Sequence, residues 1–180
     1  MNNKPIIETN RLILRRWRAE DLQPFAELNA DARVMEFFPA TMTLEEVQNM
    51  IRIFEEREEQ NGFCFWAAEL KETGEFVGFI GLNIPGQPLP FSPCVEIGWR
   101  LAHRFWGRGL APEGAQACLQ YGFEKLGLKE IVSFTAVGNS NSRRVMEKIG
   151  MAYNPADDFD HPKIAEGQPL RRHVLYRIKA

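Results

Sequence analysis

The sequence predicts an α/β (α+β) fold in which helices flank one mixed β-sheet. Apolar residues alternate or recur at helical spacing in the order β-α-α-β-β-β-α-β-α-β-β along the chain. An early pair of strands is joined by a tight turn, whereas later a strand, a glycine-bearing loop, a helix and a further strand follow one another. We therefore expect a sheet that is antiparallel in its first half and parallel at the glycine loop.

The first half of the chain supplies two helices and the antiparallel strands. Thr43 and Glu46 form a capping box that begins the second helix, which runs to about Gln60. Gly62 ends that helix because it can adopt the left-handed conformation that the terminus needs. Two strands then form a hairpin around a turn signal at residues 72–74. The remaining predicted elements of this half are strands over residues 12–17, 63–70 and 76–84 and a helix over residues 19–30.

The second half contains the parallel part of the sheet. Residues 85–93 hold four prolines and a glycine and are predicted as a loop. Residues 157–169 form a second, polar loop, of a length that is usually functional or disordered. The predicted elements of this half are strands over residues 94–101, 131–137 and 173–178 and helices over residues 111–126 and 139–151.

Length and composition limit the possible functions. The 180 residues suffice for one domain, expected over 1–180, and the net charge of −2 with scattered basic residues indicates neither nucleic-acid nor membrane binding. No apolar run reaches transmembrane length, and residues 1–5 lack a signal-peptide core, so we expect a cytoplasmic protein. Cys64, Cys94 and Cys118 form no Cys-x-x-Cys pair, which argues against a disulfide framework or zinc site and predicts buried thiols.

The glycine turn at Gly107 and Gly109 leads into a helix and is suited to hold a phosphate. The helix N-terminus presents unpaired N–H groups, and Pro112 fits its first position, where no N–H is needed. A P-loop is excluded because no Lys follows a second glycine at the required spacing. A dinucleotide-binding fingerprint is excluded because Pro112 occupies the place of its third glycine.

The third possibility is the pyrophosphate loop Gln/Arg-x-x-Gly-x-Gly/Ala, which Arg104, Gly107 and Gly109 match. With this loop the chain resembles the GCN5-related N-acetyltransferase (GNAT) superfamily. Residues 139–151 resemble the Asn-x-x-Ser…Glu-Lys-x-Gly-Phe motif of its RimJ/RimL-like branch, with Met151 where Phe is usual. The first and last strands also resemble that branch, so the resemblance covers nearly the whole chain.

The resemblance implies acetyl-coenzyme A (acetyl-CoA) as the cofactor. Backbone amides of Phe105 to Leu110 would bind its pyrophosphate, and Arg104 and Arg108 would add positive charge. The strand at Trp99 would run beside the pantetheine arm, splayed from the next strand, and the free N–H of Leu101 would polarise the thioester carbonyl. An ordinary strand pair is the alternative. The expected cofactor-binding residues are Trp99, Leu101, Arg104, Phe105, Trp106, Gly107, Arg108, Gly109, Leu110, Ala111, Asn139 and Ser142.

The departing thiolate needs a proton donor. Many family members place a tyrosine on the helix after Asn139, but Met146 stands there in this chain. Ser142 is the replacement that the branch suggests. A serine at a helix start is also a common N-cap, and one hydroxyl can serve both purposes. Asn139 is expected to bind the pantetheine chain, with a simple turn role as the alternative.

Glu96 is the leading general base because it lies on the cofactor strand between two apolar residues. An edge glutamate paired with an arginine is the alternative. His103 has a suitable intrinsic pKa but is equally typical of a surface group. His161 with Asp158 and Asp160 resembles a metal cluster only faintly, and we expect no metal.

The sequence thus predicts an acetyl-CoA-dependent N-acetyltransferase that acts by direct transfer to a primary amine, either a protein N-terminal α-amine or a small-molecule amine. Its catalytic residues would be Glu96, Ser142 and Leu101. The alternative is a noncatalytic acyl-CoA-binding regulatory module, which Met146 in place of tyrosine leaves open. We expect acetyl-CoA and the acceptor as partners, no nucleic acid or membrane, and a monomer or homodimer.

Overall fold

The computed structural model describes residues 6–180. Residues 1–5, from which the lack of a signal peptide is predicted, lie outside this range. The helices are α1 (Leu22–Ala30), α2 (Leu44–Asn61), α3 (Leu110–Glu124) and α4 (Ser140–Lys148). The strands are β1 (Ile7–Glu8), β2 (Leu12–Arg15), β3 (Phe65–Leu70), β4 (Phe76–Asn83), β5 (Glu96–Leu101), β6 (Glu130–Ala136), β7 (Ala152–Tyr153), β8 (Phe159–Asp160) and β9 (Arg172–Lys179).

Across the described residues these strands form one mixed sheet. Its order is β1-β2-β3-β4-β5-β6-β9-β7, and β8 also pairs with β9. Each pair from β1 to β5 is antiparallel, β5 and β6 are parallel, and β9 pairs antiparallel with β6. The predicted sheet, antiparallel first and parallel at the glycine loop, is confirmed.

Helices cover both faces of the sheet. Phe25 of α1 and Phe54 of α2 pack edge-on against Phe79 of β4, with ring centroids 6.0 and 5.6 Å apart. On the opposite face, Trp66 of β3 packs against Tyr121 of α3 at 5.6 Å. No helix within residues 6–180 combines the length and apolar character that a membrane span requires.

The local signals at the ends of α2 are confirmed. The Thr43 hydroxyl accepts a hydrogen bond from the Glu46 N–H, and the Glu46 carboxylate accepts one from the Thr43 N–H at 2.7 Å. Gly62 has φ of +80° and ends the helix. These contacts fix the boundaries of α2 on the face of the sheet that also carries α1.

The predicted loop over residues 157–169 is partly wrong. Phe159 is buried against Phe91 and Phe134, which brings β8 beside β9. Helix α3 begins at Leu110, so Pro112 is its third residue and not its first.

The prediction of buried thiols also needs a correction. Cys64 and Cys118 are buried, but Cys94 is only part-buried. It precedes β5 on a segment where residues 91–95 are all partly or fully exposed, so the neighbouring chain covers it less completely. All three cysteines are free.

Candidate active site

The parallel strands β5 and β6 separate soon after they meet. Within the described residues they align only at Glu96 and Val132, where the Val132 N–H donates to the Val95 carbonyl at 2.9 Å. The Ser133 hydroxyl then donates to the Ile97 carbonyl at 3.0 Å, so a side chain takes the place of a backbone partner. The later part of β5 is therefore open on the side that faces β6.

This opening is lined by backbone groups of β5. The Ala102 N–H donates to the Val77 carbonyl beside β4 at 2.9 Å. Because backbone groups alternate in direction along a strand, the N–H groups of Trp99 and Leu101 point the other way, into the opening. The Leu101 carbonyl accepts a hydrogen bond from the Trp106 indole at 2.8 Å. The Leu101 N–H lies beyond the point where β5 and β6 align and has no acceptor among the described residues.

The glycine turn continues directly from β5. Gly107 and Gly109 have φ of +73° and +75°, a left-handed conformation that residues with a side chain rarely adopt. Five consecutive backbone N–H groups at the turn and the start of α3 have no protein acceptor within residues 6–180, and Gly109 provides no side-chain cap for α3. These free donors belong to Gly107, Arg108, Gly109, Leu110 and Ala111.

Two amides that the sequence assigned to pyrophosphate binding are already used. The Phe105 N–H donates to the Ala102 carbonyl at 2.9 Å, and the Trp106 N–H donates to the His103 carbonyl at 3.0 Å. A short 3-10 turn over His103–Phe105 accounts for both bonds. The prediction that the Phe105 and Trp106 amides bind the pyrophosphate is therefore wrong. The free donors lie further along the chain, from Gly107 to Ala111.

The predicted arginines lie beside the turn with their guanidinium groups over the Phe105 ring. The distances from the guanidinium carbon to the ring centroid are 4.6 Å for Arg104 and 5.5 Å for Arg108. Arg104 is also 3.8 Å from Glu75, and both side chains of that pair are at least half exposed. Arg104 and Arg108 thus supply positive potential near the turn without being locked in a buried ion pair.

A second set of contacts, which the sequence did not predict, fastens the turn to the N-terminal strands. Glu113 in the first turn of α3 accepts hydrogen bonds from the Thr9 hydroxyl at 2.6 Å and the Arg11 guanidinium at 2.6 Å. Arg11 also donates to the Arg108 carbonyl at 2.8 Å. The only local signal for this contact was an acidic residue in the first turn of a helix.

The N-terminus of α4 lies at the end of β6. Asn139 is its N-cap, since its side-chain oxygen accepts from the Ser142 N–H at 3.1 Å and its amide donates to the Thr135 hydroxyl at 2.9 Å. The alternative in which Ser142 is the cap is therefore wrong. The Ser142 hydroxyl is part-buried and forms no hydrogen bond within residues 6–180, whereas Met146 is buried in the core.

Glu96 lies at the start of β5 in a chain of polar contacts. Its carboxylate accepts from the Asn83 amide at 2.5 Å, and the Asn83 oxygen accepts from the Arg57 guanidinium at 2.6 Å. Burial raises the pKa of Glu96 to about 7, against the opposing effects of the Asn83 hydrogen bond and the Arg57 charge. The direct arginine pair considered from the sequence is absent from this contact, because Asn83 stands between the two charges.

The other candidate groups lie elsewhere. The His103 ring packs on Trp106 with centroids 4.9 Å apart. His161 packs on His173, and burial, with the neighbouring charge of His173, lowers its pKa to about 4. Asp160 pairs with two arginines, and Asp158 accepts from the Tyr153 hydroxyl. Within the described residues, no group of three or more His, Cys, Asp or Glu side chains is arranged to hold a metal ion.

Comparison with known proteins identifies the family. The model described as Acetyltransferase (GNAT) domain matches residues 11–152. The chain belongs to the GNAT acetyltransferase family. It is therefore a transferase of the N-acetyltransferase class, which favours an enzyme over a noncatalytic module.

Individual relatives support the membership of this chain in the GNAT family. It is 36% identical over 155 residues to the uncharacterized protein YkkB of Bacillus subtilis (strain 168), covering 86% of this chain and 89% of the relative. A crystal structure of a GNAT-family acetyltransferase from Bacillus anthracis matches with a TM-score of 0.79 and 28% identity over 96% of this chain and 97% of that one. RimL, a ribosomal L7/L12 α-N-protein acetyltransferase in complex with coenzyme A, has the same fold, with a TM-score of 0.77 and 15% identity over 98% of each chain.

Proposed function

We propose that this GNAT enzyme uses acetyl-CoA and acetylates a primary amine by direct transfer, as one domain. The observation that carries the proposal is the continuity between the open side of β5 and the free amides of the glycine turn. A long, flexible donor with an anionic pyrophosphate at one end and a thioester at the other suits this surface. The description of the RimL neighbour as a coenzyme A complex supports the same donor.

The residues present fit the anionic part of acetyl-CoA. The free N–H groups of Gly107 to Ala111 stand at the N-terminus of α3, where the helix dipole favours negative charge. A side-chain carbon added at Gly107 would meet no protein atom within 4 Å, so the backbone there is open to a ligand. Acetyl-CoA, when bound, supplies the acetyl group in the activated form of a thioester.

The chain's own groups then account for charge and protons. The Leu101 N–H donates to the carbonyl oxygen on which negative charge develops. As the acceptor nitrogen bonds to the acetyl carbon and the carbon–sulfur bond breaks, the amine gives up one proton and the sulfur gains one. Glu96 receives the first, and the Ser142 hydroxyl donates the second and is reprotonated from solvent.

Distance decides how Glu96 acts. Leu101 lies five positions after Glu96, which corresponds to about 16 Å of extended strand. The Glu96 carboxylate therefore takes the amine proton through intervening water and not by contact. A pKa of about 7 suits that task, because the carboxylate is partly ionised at neutral pH and still basic enough to hold a proton.

The cost of preparing the acceptor depends on its type. Deprotonating a lysine amine of pKa ~10.4 at pH 7 costs about 4.6 kcal/mol, whereas an α-amine of pKa ~7.8 costs about 1.1 kcal/mol. A base that works through water is better matched to the second case. We therefore propose an α-amine, on a protein N-terminus or a small molecule, as the acceptor class.

A transfer assay tests the proposal. The full chain is incubated with acetyl-CoA and a panel of amines, namely amino acids, their amides, N-terminal peptides and polyamines, while thiol release and product mass are measured. We expect amine-dependent thiol release and a mass gain of one acetyl group on at least one α-amine. Calorimetric binding of acetyl-CoA without turnover on any amine would contradict the proposal and support the noncatalytic module.

A further inference from the structure

Arg100 is a part-buried arginine that the mechanism above does not use. Its guanidinium lies between two aromatic rings, 4.0 Å from the Phe38 centroid and 5.5 Å from the Phe79 centroid. Nη1 donates to the Asn29 side-chain oxygen and contacts the Met42 sulfur at 3.8 Å. Stacking on both sides and the Asn29 contact hold the guanidinium plane in one orientation.

The rest of this guanidinium has no partner within residues 6–180. Nε is buried and makes no hydrogen bond, and Nη2 makes none either. No carboxylate of the described chain forms a salt bridge with Arg100, and burial alone lowers its pKa to about 10. A desolvated cation without a counter-ion is costly, and buried polar atoms such as this Nε almost always have partners in native proteins. The Nε and Nη2 edge is the one that a carboxylate binds through two parallel hydrogen bonds.

The backbone of Arg100 lies beside the proposed reaction centre. Arg100 immediately precedes Leu101, and its side chain lies on the α1 and α2 face of β5 together with that of Glu96. Glu96 is about 13 Å away along the strand, and the Phe65 ring covers Gly98 between them. Arg100 and Glu96 therefore lie at opposite ends of β5, on the face that α1 and α2 cover.

The α1–α2 connection (residues 31–43) crosses this end of the face. Phe38, which stacks on Arg100, is 37% exposed. One residue earlier, the Phe37 ring lies against Gly138 in the loop between β6 and α4. The connection thus spans from above β5 to the far side of the opening between β5 and β6. A molecule that enters from the α1 and α2 side passes beside Arg100.

We propose that Arg100 recognises the acceptor, which carries a carboxylate within a few bonds of the amine that is acetylated. The inference rests on the proposed function and deepens it by naming the substrate class. A free amino acid supplies this chemistry, and so does a peptide with Asp or Glu at its N-terminus. Polyamines and aminoglycosides lack the carboxylate and bring further positive charge towards Arg100, so they are disfavoured.

Matched acceptor pairs test the inference. Each amino acid is compared with its carboxamide, and peptides that begin with Asp or Glu are compared with those that begin with Asn or Gln. We expect kcat/KM to be about 10-fold or more higher for the acid member of the pairs that bind, as for a charge-assisted bidentate contact. Preference among free amino acids or among peptides identifies the source of the carboxylate. Equal kcat/KM for acid and amide members in both sets overturns the inference.

Variants assign the preference to Arg100. In Arg100→Gln we expect the acid-to-amide ratio to fall to about one, and in Arg100→Lys, which keeps the charge but not the fork, to an intermediate value. Arg52→Gln, on the exposed side of α2, is the matched control and should keep the wild-type ratio. A fold defect lowers both members of a pair alike, so it does not change the ratio. A wild-type ratio in Arg100→Gln overturns the inference.

A binding measurement separates this inference from the proposed function. N-acetyl amino acids and their amides are titrated into the enzyme with coenzyme A, in wild type and in Arg100→Gln. Tighter binding of the acid that is lost in Arg100→Gln supports Arg100 as the recognition residue even if no acceptor is turned over. Equal binding of acid and amide by the wild type overturns the inference whether or not acetyl transfer occurs.

Discussion

Glu96 illustrates how two neighbours set the protonation of one side chain. Burial favours the neutral acid, while the Asn83 hydrogen bond and the more distant Arg57 charge favour the carboxylate. Burial outweighs both, and the resulting pKa lies near neutrality. The same carboxylate in direct contact with Arg57 would stay ionised well below pH 7 and would be a weaker base.

Substituting this residue gives the first prediction. Glu96→Gln should lower kcat/KM at pH 7 by about 10- to 100-fold, because the amide keeps its size but accepts no proton. Activity should recover as the pH approaches the pKa of the acceptor amine, which then needs no base. The pH profile of kcat/KM is the measurement, with Glu130→Gln at the start of β6 as the control. A wild-type profile in Glu96→Gln would eliminate it as the base.

The N-terminus of α4 carries one structural residue, the N-cap Asn139, and one candidate catalytic residue, Ser142. Ser142→Ala should lower kcat by about 100-fold if the hydroxyl protonates the leaving sulfur, and should leave stability nearly unchanged because Ser142 is not the cap. Asn139→Ala should cost about 1 kcal/mol of unfolding free energy through loss of the N-cap. Denaturant unfolding and steady-state kinetics of both variants measure this contrast. Loss of stability in Ser142→Ala with unchanged kcat would refute the assignment.

At the scale of elements, the glycine turn combines two left-handed glycines with backbone amides that have no protein acceptor. Gly107→Val and Gly109→Val should each weaken acetyl-CoA binding by blocking approach to the free amides, while the fold survives. Gly74→Val is a matched control, since Gly74 lies in the β3–β4 hairpin with φ of +71° and, like Gly107, has no protein atom within 4 Å of an added side-chain carbon. All three variants place a valine in a left-handed backbone conformation and are destabilised for that reason. Only the two turn variants should also lose affinity for acetyl-CoA. Calorimetric affinity equal to wild type in both turn variants would exclude the turn as the phosphate site.

The sequence predictions were accurate where a feature depends on residues that are close together in the chain. The capping box at Thr43 and the stop at Gly62 depend on neighbours in the chain, and both were predictable. The cap of α4 was misassigned because the helix start is uncertain by a few residues, and Asn139 and Ser142 are both good capping residues. The Phe105 and Trp106 amides were misassigned because sequence patterns do not reveal a single 3-10 turn.

Contacts between distant parts of the chain could not be predicted. Arg100 lies 71 residues from Asn29 in the sequence, and nothing near it marks its Nε as buried and without a partner. Glu113 likewise meets Thr9 and Arg11 over about a hundred residues. The resemblance to a family predicted a donor-binding turn, whereas the proposed acceptor site depends on this chain's own tertiary contacts.

On the scale of the whole molecule, the packed core and the proposed reaction site occupy different parts of the sheet. The antiparallel strands and their aromatic contacts with α1 and α2 form a continuous core, whereas the opening lies where β5 and β6 separate. Two desolvated ionisable groups, Glu96 and Arg100, stand along β5 beside that opening. Holding them there reduces the stability of the fold, a common cost of a functional site.

That cost leads to a prediction for the pH dependence of stability. Because folding raises the pKa of Glu96 from 4.5 to about 7, the folded state binds this proton more tightly than the unfolded state. The associated stability is fully present below pH 4.5 and is lost as the pH rises through 7. The unfolding free energy of the wild type should therefore fall relative to that of Glu96→Gln, by on the order of 3 kcal/mol between pH 4.5 and 8.

Denaturant unfolding of both proteins at a series of pH values checks this difference, since other titrating groups are common to the two and cancel. The unfolding free energy of Glu96→Gln minus that of the wild type should be larger at pH 8 than at pH 4.5. The same variant should be the poorer enzyme at pH 7. A difference that does not change with pH would mean that the Glu96 carboxylate titrates alike in the folded and unfolded states. It would then lack the pKa near 7 on which its proposed role as base depends.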